Sequence, residues 1–180
     1  MNLPHLQSLA GLDKLDNSGL FIENCDSLVD LQGMPALKTA YFINLEGNER
    51  LESLQGLEAL ERIEWFAPGG LVLKNNPKLT DLSALDRPVP MPFLQIENNA
   101  GLSLCSVQSI CDFLVAPDIP AVISGNLTGC GSADEIIADC SVASGDFFEK
   151  TAFEISPNPV AEGQSLQIFL ENDFLGKVNI

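Results

Sequence analysis

The sequence predicts an α/β solenoid. It would be a right-handed superhelix of stacked units sharing one parallel sheet, closed by a disulfide-stapled cap and followed by a partial β-sandwich. Three observations lead there. A Leu-rich pattern returns at intervals of 23, 28 and 23 residues. Four cysteines crowd into residues 105–140, where that pattern ends. After residue 151, short alternating runs with Pro- and Gly-rich turns replace it. The chain therefore divides into repeats at 1–104, a cysteine-rich cap at 105–140, a linker at 141–151 and a β tail at 152–180.

The repeat comes first because self-similarity at a fixed period governs the whole fold. Residues 20–37, LFIENCDSLVDLQGMPAL, shifted by 23, meet INLEGNERLESLQGLEAL at 43–60. Leu20, Ile22, Leu28, Leu31, Gly33, Met34 and Leu37 fall on Ile43, Leu45, Leu51, Leu54, Gly56, Leu57 and Leu60. A shift of 28 reaches Leu71, Leu73, Leu79, Leu82 and Leu85, and a shift of 23 reaches Leu94, Ile96, Leu102 and Cys105. The opening residues LPHLQSLAGLDKL carry the second half of an earlier unit, and AVISGN at 121–126 reads as a degenerate last strand.

Each unit has a simple physical reading. The L-x-I alternation puts two apolar side chains on one face of a short strand. Asn24, Asn75 and Asn98 follow the strands, where they turn the chain and bond neighbouring backbone amides. The L-x-x-L pair adds two more apolar groups to the same interior. Gly33 and Gly56 supply a tight bend. No unit buries its own apolar face, whereas stacked units share a continuous core.

These residues resemble the receptor L-domain-like and leucine-rich-repeat proteins of Bacteroidetes-type bacteria. The shared pattern L-x-I-x-x-N-x-x-L-x-x-L-x-G-L-x-x-L runs from about Leu3 to Leu104, and GGLVLKNNPKL at 69–79 is especially close. Gly47 departs from it by replacing Asn, as does an apolar-aromatic insertion around Trp65 and Phe66. Such proteins often close with a C-x-V-x-S-I-C segment, a G-C segment and a helix ending in Cys. Cys105, Cys111, Cys130 and Cys140 match all four positions.

In the cap, Val107, Ile110, Cys111 and Leu114 are spaced as one helix face, with Ser106 as the expected N-cap. Ser132 and Glu135 form the pattern of a capping box, with Ile136, Ile137 and Cys140 facing inward. Four cysteines allow three pairings. Equivalent elements touch in successive turns, which favours Cys105–Cys130 and Cys111–Cys140. No C-x-x-C pair occurs, so a zinc ribbon or thioredoxin-like site is not expected, and disulfides imply an oxidising compartment. Cys25 is left as a free thiol or an intermolecular partner.

In the tail, Phe153 and Ile155 alternate with polar residues. Leu166, Ile168 and Leu170 form a second strand, and Val178 and Ile180 begin a third. The run resembles the start of the C-terminal sorting domain of the type IX secretion system, through ISPNPV at 155–160 and LGKVNI at 175–180. That resemblance implies export across the outer membrane, with secretion or anchoring at the cell surface, and the secretion machinery as a partner. The start MNLPHLQSLAGLDKL lacks the basic and apolar regions of a signal peptide, so a truncated N-terminus is expected.

Composition sets the exclusions. Nine Lys plus Arg against 25 Asp plus Glu give a net charge of −16. Nucleic acid and anionic membranes are improbable partners for such a chain. With His5 as the one histidine, the chain holds no histidine triad or multi-histidine metal site. No apolar run of about 18 residues occurs, so membrane insertion is not expected. Pro88 to Glu149 carries eight acids and no Lys or Arg, which concentrates half the net charge on the last repeat, cap and linker.

Between the core positions of each strand lie outward residues. They form two columns: Phe21, Asn44, Val72, Gln95 and Val122, then Glu23, Glu46, Lys74, Glu97 and Ser124. In repeat proteins such a face is the default recognition surface. A Glu column suits cationic ligands, though it reads first as a solvated charged face with Lys74 relieving repulsion. No calcium-loop motif, phosphate loop or cofactor motif is present. Glu23 and Glu46 are the nearest approach to a glycosidase pair, yet a flat face provides no pocket. Asn126-Leu127-Thr128 matches a glycosylation sequon, and Asp26-Ser27-Leu28 resembles an O-glycosylation sequence of exported Bacteroidetes proteins. The expectation is a non-catalytic module with no cofactor or metal, binding an extracellular protein or glycan. The alternative is a rigid spacer displaying an upstream catalytic or adhesive domain.

Overall fold

The computed structural model describes residues 3–64, 69–116, 121–143, 166–169 and 175–178. It comprises two compact units, Met1–Asp146 and Phe147–Ile180. The Trp65–Phe66 insertion, residues 144–151 and the ISPNPV segment lie outside the described residues.

The first unit is built on an open parallel sheet. Its strands are β1 (Ser18–Glu23), β2 (Thr39–Glu46), β3 (Arg62–Ile63), β4 (Leu71–Lys74), β5 (Leu94–Glu97) and β6 (Ala121–Ser124). Their order is β1-β2-β4-β5-β6, with β3 paired to the start of β2. Every pairing in this sheet is parallel. Two helices, α1 (Gln108–Val115) and α2 (Ala133–Ala143), follow β5 and β6. Leu20, Ile43, Leu71 and Leu94 share one row, and Ile22, Leu45, Leu73 and Ile96 another, all buried. The L-x-x-L residues join them, so that Leu28, Leu31, Leu51, Leu54, Leu79 and Leu82 complete one core. The first turn of chain is less covered: Leu12, the counterpart of buried Met34, is exposed.

Two polar stacks run alongside this core, and they divide the labour differently from the sequence expectation. Asn24, Asn75 and Asn98 are the turn residues, with φ of 51°, 55° and 56°, and Gly47 and Gly125 take the same place at 68° and 70°. Amide bonding belongs to the next residue. Asn48, Asn76 and Asn99 are buried, with Asn126 beside them half-buried. The Asn48 Oδ1 accepts the Cys25 amide at 3.0 Å, Asn76 accepts that of Asn48 at 3.0 Å, and Asn99 that of Asn76 at 3.1 Å. Asn126 accepts the Asn99 amide at 2.9 Å. Each Nδ2 reaches back to a strand carbonyl, those of Ile22, Leu45, Leu73 and Ile96. The ladder satisfies backbone groups that burial would otherwise leave without partners.

Cys25 stands at the end of this ladder, where the other units have Asn. It is 2% exposed, and its thiol donates to the Glu23 carbonyl at 3.6 Å. That burial overturns the intermolecular reading of this cysteine. Engagement in the ladder likewise removes Asn126 as a glycan acceptor, since its Nδ2 donates to Ile96 and to Cys130.

The expected bends at Gly33 and Gly56 are present, at φ of 123° and 112°. A Cβ at Gly56 would lie 2.1 Å from the Leu31 carbonyl oxygen, so the glycines let one turn pass over the previous one.

The cap is held by disulfides Cys105–Cys130 and Cys111–Cys140, with Cα separations of 5.5 and 5.7 Å. Its helices differ from expectation in detail. The N-cap of α1 is Val107, not Ser106, and no side chain of its own segment caps it. Instead Asp86, on the preceding turn, accepts the Gln108 amide at 3.1 Å. Phe113 is buried on α1, with Cys111 and Leu114 only partly so. In α2, Ser132 accepts the Glu135 amide at 3.3 Å, as a cap should. The Glu135 carboxylate turns back to the amides of Gly129 and Gly131 rather than to Ser132. Ile136 is buried, but Ile137 is 37% exposed, because it lies one position off the face that Ile136 and Cys140 share.

In the second unit, β7 (Leu166–Phe169) pairs antiparallel with β8 (Leu175–Val178). The second expected strand is thus observed over Leu166–Phe169, and Leu170 lies outside the described residues. The third begins earlier than expected, at Leu175 rather than Val178.

Candidate functional site

The outward face of the sheet carries both expected columns in register. Phe21, Asn44, Val72, Gln95 and Val122 are direct Cα partners across the strands, as are Glu23, Glu46, Lys74, Glu97 and Ser124. Adjacent strands sit about 4.8 Å apart, so each column is a continuous row.

The rows are not uniformly open. Phe21 is 55% exposed and Val122 is exposed, but Asn44 is 8% exposed and Val72 is also buried. Both were expected on the surface. They lie in the central strands, flanked on each side by outward side chains, whereas Phe21 and Val122 occupy the two edges.

The acidic row is internally paired. Glu23 accepts the Asn44 amide nitrogen at 2.7 Å. Glu46 faces Lys74 at 3.6 Å and accepts from Asn75 at 3.5 Å. Glu97 accepts from Gln95, and from the Ser124 hydroxyl at 3.1 Å. Lys74 does relieve the charge of Glu46, and each glutamate has a neutral or cationic neighbour in the face. Among the described residues no cluster of three or more His, Cys, Asp or Glu is placed to hold a metal ion.

One feature of the face escaped the period-two reading. Between β1 and β2 the register slips, Ser18 pairing with Ala40 and Gly19 with Phe42. Tyr41 is the extra residue of this bulge, so Tyr41 and Phe42 both lie outside the core, between buried Ala40 and Ile43. The Phe42 ring centroid lies 5.0 Å from that of Phe21, tilted by 41°. A Cβ on Gly19 would sit 3.4 Å from the edge of the Phe21 ring, so this ring lies over a residue without a side chain. The signal available in the sequence was the aromatic pair Tyr41-Phe42 opposite Gly19.

Away from the face, an apolar cavity of about 330 Å³ lies between β3, the 88–91 segment and α1, lined by Ile63, Val89, Met91, Phe113 and Ala116. Among the described residues no helix is long and apolar enough to cross a membrane. Compared with family models, curated proteins and solved structures, the chain finds no match.

Proposed function

We propose that the first unit is a leucine-rich-repeat-like, receptor L-domain-like solenoid, and that it serves as a non-catalytic surface module binding a protein or glycan through its sheet face. The open face with outward residues aligned over five strands carries this reading. Such a surface offers extended contact rather than an enclosed reaction site. Stacked apolar rows, the Asn ladder and the glycine bends support the solenoid assignment. The disulfides belong with an oxidising compartment and support an exported protein, secreted or held at the outer-membrane surface. The tail resemblance adds a type IX sorting signal, for which the antiparallel β7–β8 pair is a fitting local structure.

A purified chain probed on glycan and protein arrays should give hits that weaken when Glu46 and Lys74 are both replaced. Blank arrays favour the spacer, a reading supported by the internal pairing of Glu46 and Glu97 with their own neighbours. A fluorescent fusion carrying the whole C-terminal region should reach the surface only in cells with intact secretion machinery. Surface delivery without that machinery overturns the sorting assignment.

A further inference from the structure

The β1–β2 end of the face combines an aromatic shelf with an unsatisfied buried acceptor and a carboxylate, and together they specify a class of ligand. The shelf is Phe21 and Phe42, with Tyr41 raised out of the core by the bulge. Beside it, Asn44 is buried and its Oδ1 has no hydrogen-bond partner. The orientation of that amide is fixed, because its Nδ2 donates to Glu23 at 2.7 Å. A buried acceptor left without a donor is costly, so it favours any ligand that brings one.

Several neighbouring donors face acids of the same row. Lys74 faces Glu46, Asn75 donates to Glu46, and Gln95 donates to Glu97. Beside the rings, the Glu23 carboxylate and the buried Asn44 carbonyl are both acceptors. A sugar ring brings acceptors as well as donors, and these two groups match only its donors. An ammonium or guanidinium brings donors alone. The net charge of −16 draws such a group in, and an aromatic face both attracts the cation and covers its aliphatic stem.

We propose that this end of the face seats a lysine or arginine side chain from an extended basic segment of a protein partner. Its stem lies along Phe21 and its head points to Glu23 and the Asn44 carbonyl, the exposed Phe21 ring turning to admit it. The proposal rests on the reading of the sheet face as a binding surface and narrows its partner to a basic protein segment.

The test uses the full chain and tetralysine, titrated at low ionic strength by calorimetry. Binding is expected, weakening at least tenfold in Glu23→Gln and in Phe21→Ala, and less than twofold in Asp134→Asn, a remote exposed acid on α2. Phe21→Leu, which keeps apolar bulk without the ring, should also weaken it. Melting temperatures of the variants should stay near that of the parent, since both side chains lie outside the core. Equal weakening by Glu23→Gln and Asp134→Asn would show diffuse attraction and overturn the site. Neutral oligosaccharides that displace tetralysine would overturn the cationic ligand. Absence of tetralysine binding, with array hits that still depend on Glu46 and Lys74, would sink this proposal and leave the sheet-face reading standing. Blank results in both experiments would remove both.

Discussion

The side-chain carbonyl of Asn76 accepts two hydrogen bonds from Asn48, one from its backbone amide at 3.0 Å and one from its Nδ2 at 3.1 Å. Asn76 also donates to the Leu45 carbonyl at 2.8 Å, so one buried residue ties together three points of the preceding turn. Asn76→Ala leaves those groups buried and unpaired, and should cost about 2–4 kcal/mol. Asn75→Gly, one residue earlier, keeps its positive φ without strain and should change stability by less than about 0.5 kcal/mol. Urea unfolding of the two variants checks the contrast.

The glycine bends should be unequal in their tolerance. Gly56→Ala places a methyl against the Leu31 carbonyl at a φ of 112°, and should destabilise by at least about 2 kcal/mol. Gly11→Ala has a similar φ of 100° but nothing within 4 Å, so only the backbone strain remains, about 1 kcal/mol. Thermal melts rank the two.

Each cap disulfide should contribute about 2–4 kcal/mol, in large part by restricting the unfolded chain. The Cys111→Ser/Cys140→Ser double variant should lower the melting temperature and expose apolar surface near Ile110 and Ile136. Unreduced peptide maps should link the segments around 105 and 130, and those around 111 and 140; a 105–111 link contradicts this structure.

Asp16 sets a pH dependence. Backbone amides of Thr39 and Lys38 donate to its carboxylate at 3.0 and 2.9 Å and hold its pKa below the usual 3.8. A depressed carboxylate stabilises the fold above its unfolded pKa, and that gain disappears as pH falls through the folded one. Asp16→Asn should therefore melt earlier than the parent at pH 7, about three units above 3.8, with the difference closing in acid well below 3.8. Lys38 runs the opposite way. Its hydrogen bond to Glu61 at 3.0 Å raises its pKa above 10.5, so its contribution is present below that value and lost in stronger base. Melting curves from pH 2 to 12 check both signs.

Period-two alternation was enough to place Leu20, Ile22, Leu71 and Ile96 inward, and Glu23, Lys74 and Glu97 outward, because a strand leaves no other choice. The bulge at Tyr41 was hidden, since one extra residue leaves the flanking alternation intact on either side. The two Asn stacks were confused because Asn75-Asn76 and Asn98-Asn99 offer both candidates side by side. The other units distinguish them. Gly47 and Gly125 stand where only φ matters, while Cys25 stands where a side chain is buried. Asp86 as the cap of α1 comes from 22 residues away, and no local pattern announces it. Asn44 and Val72 share the row of Phe21 and Val122 yet are buried, because burial on that face depends on neighbouring strands that a single strand's pattern does not describe.

Cys25 has a consequence for how the cap cysteines find their partners. A fifth thiol in an oxidising medium multiplies the wrong pairings open to a folding chain. Here the Cys25 amide is bound by Asn48, from the next turn, and its sulfur faces the interior. Once those two turns have stacked, this thiol is shielded from exchange, and the search falls to the three pairings of the remaining four. Stacking of the ladder at the N-terminal end thus takes one competing thiol out of reach of the cysteines at the other.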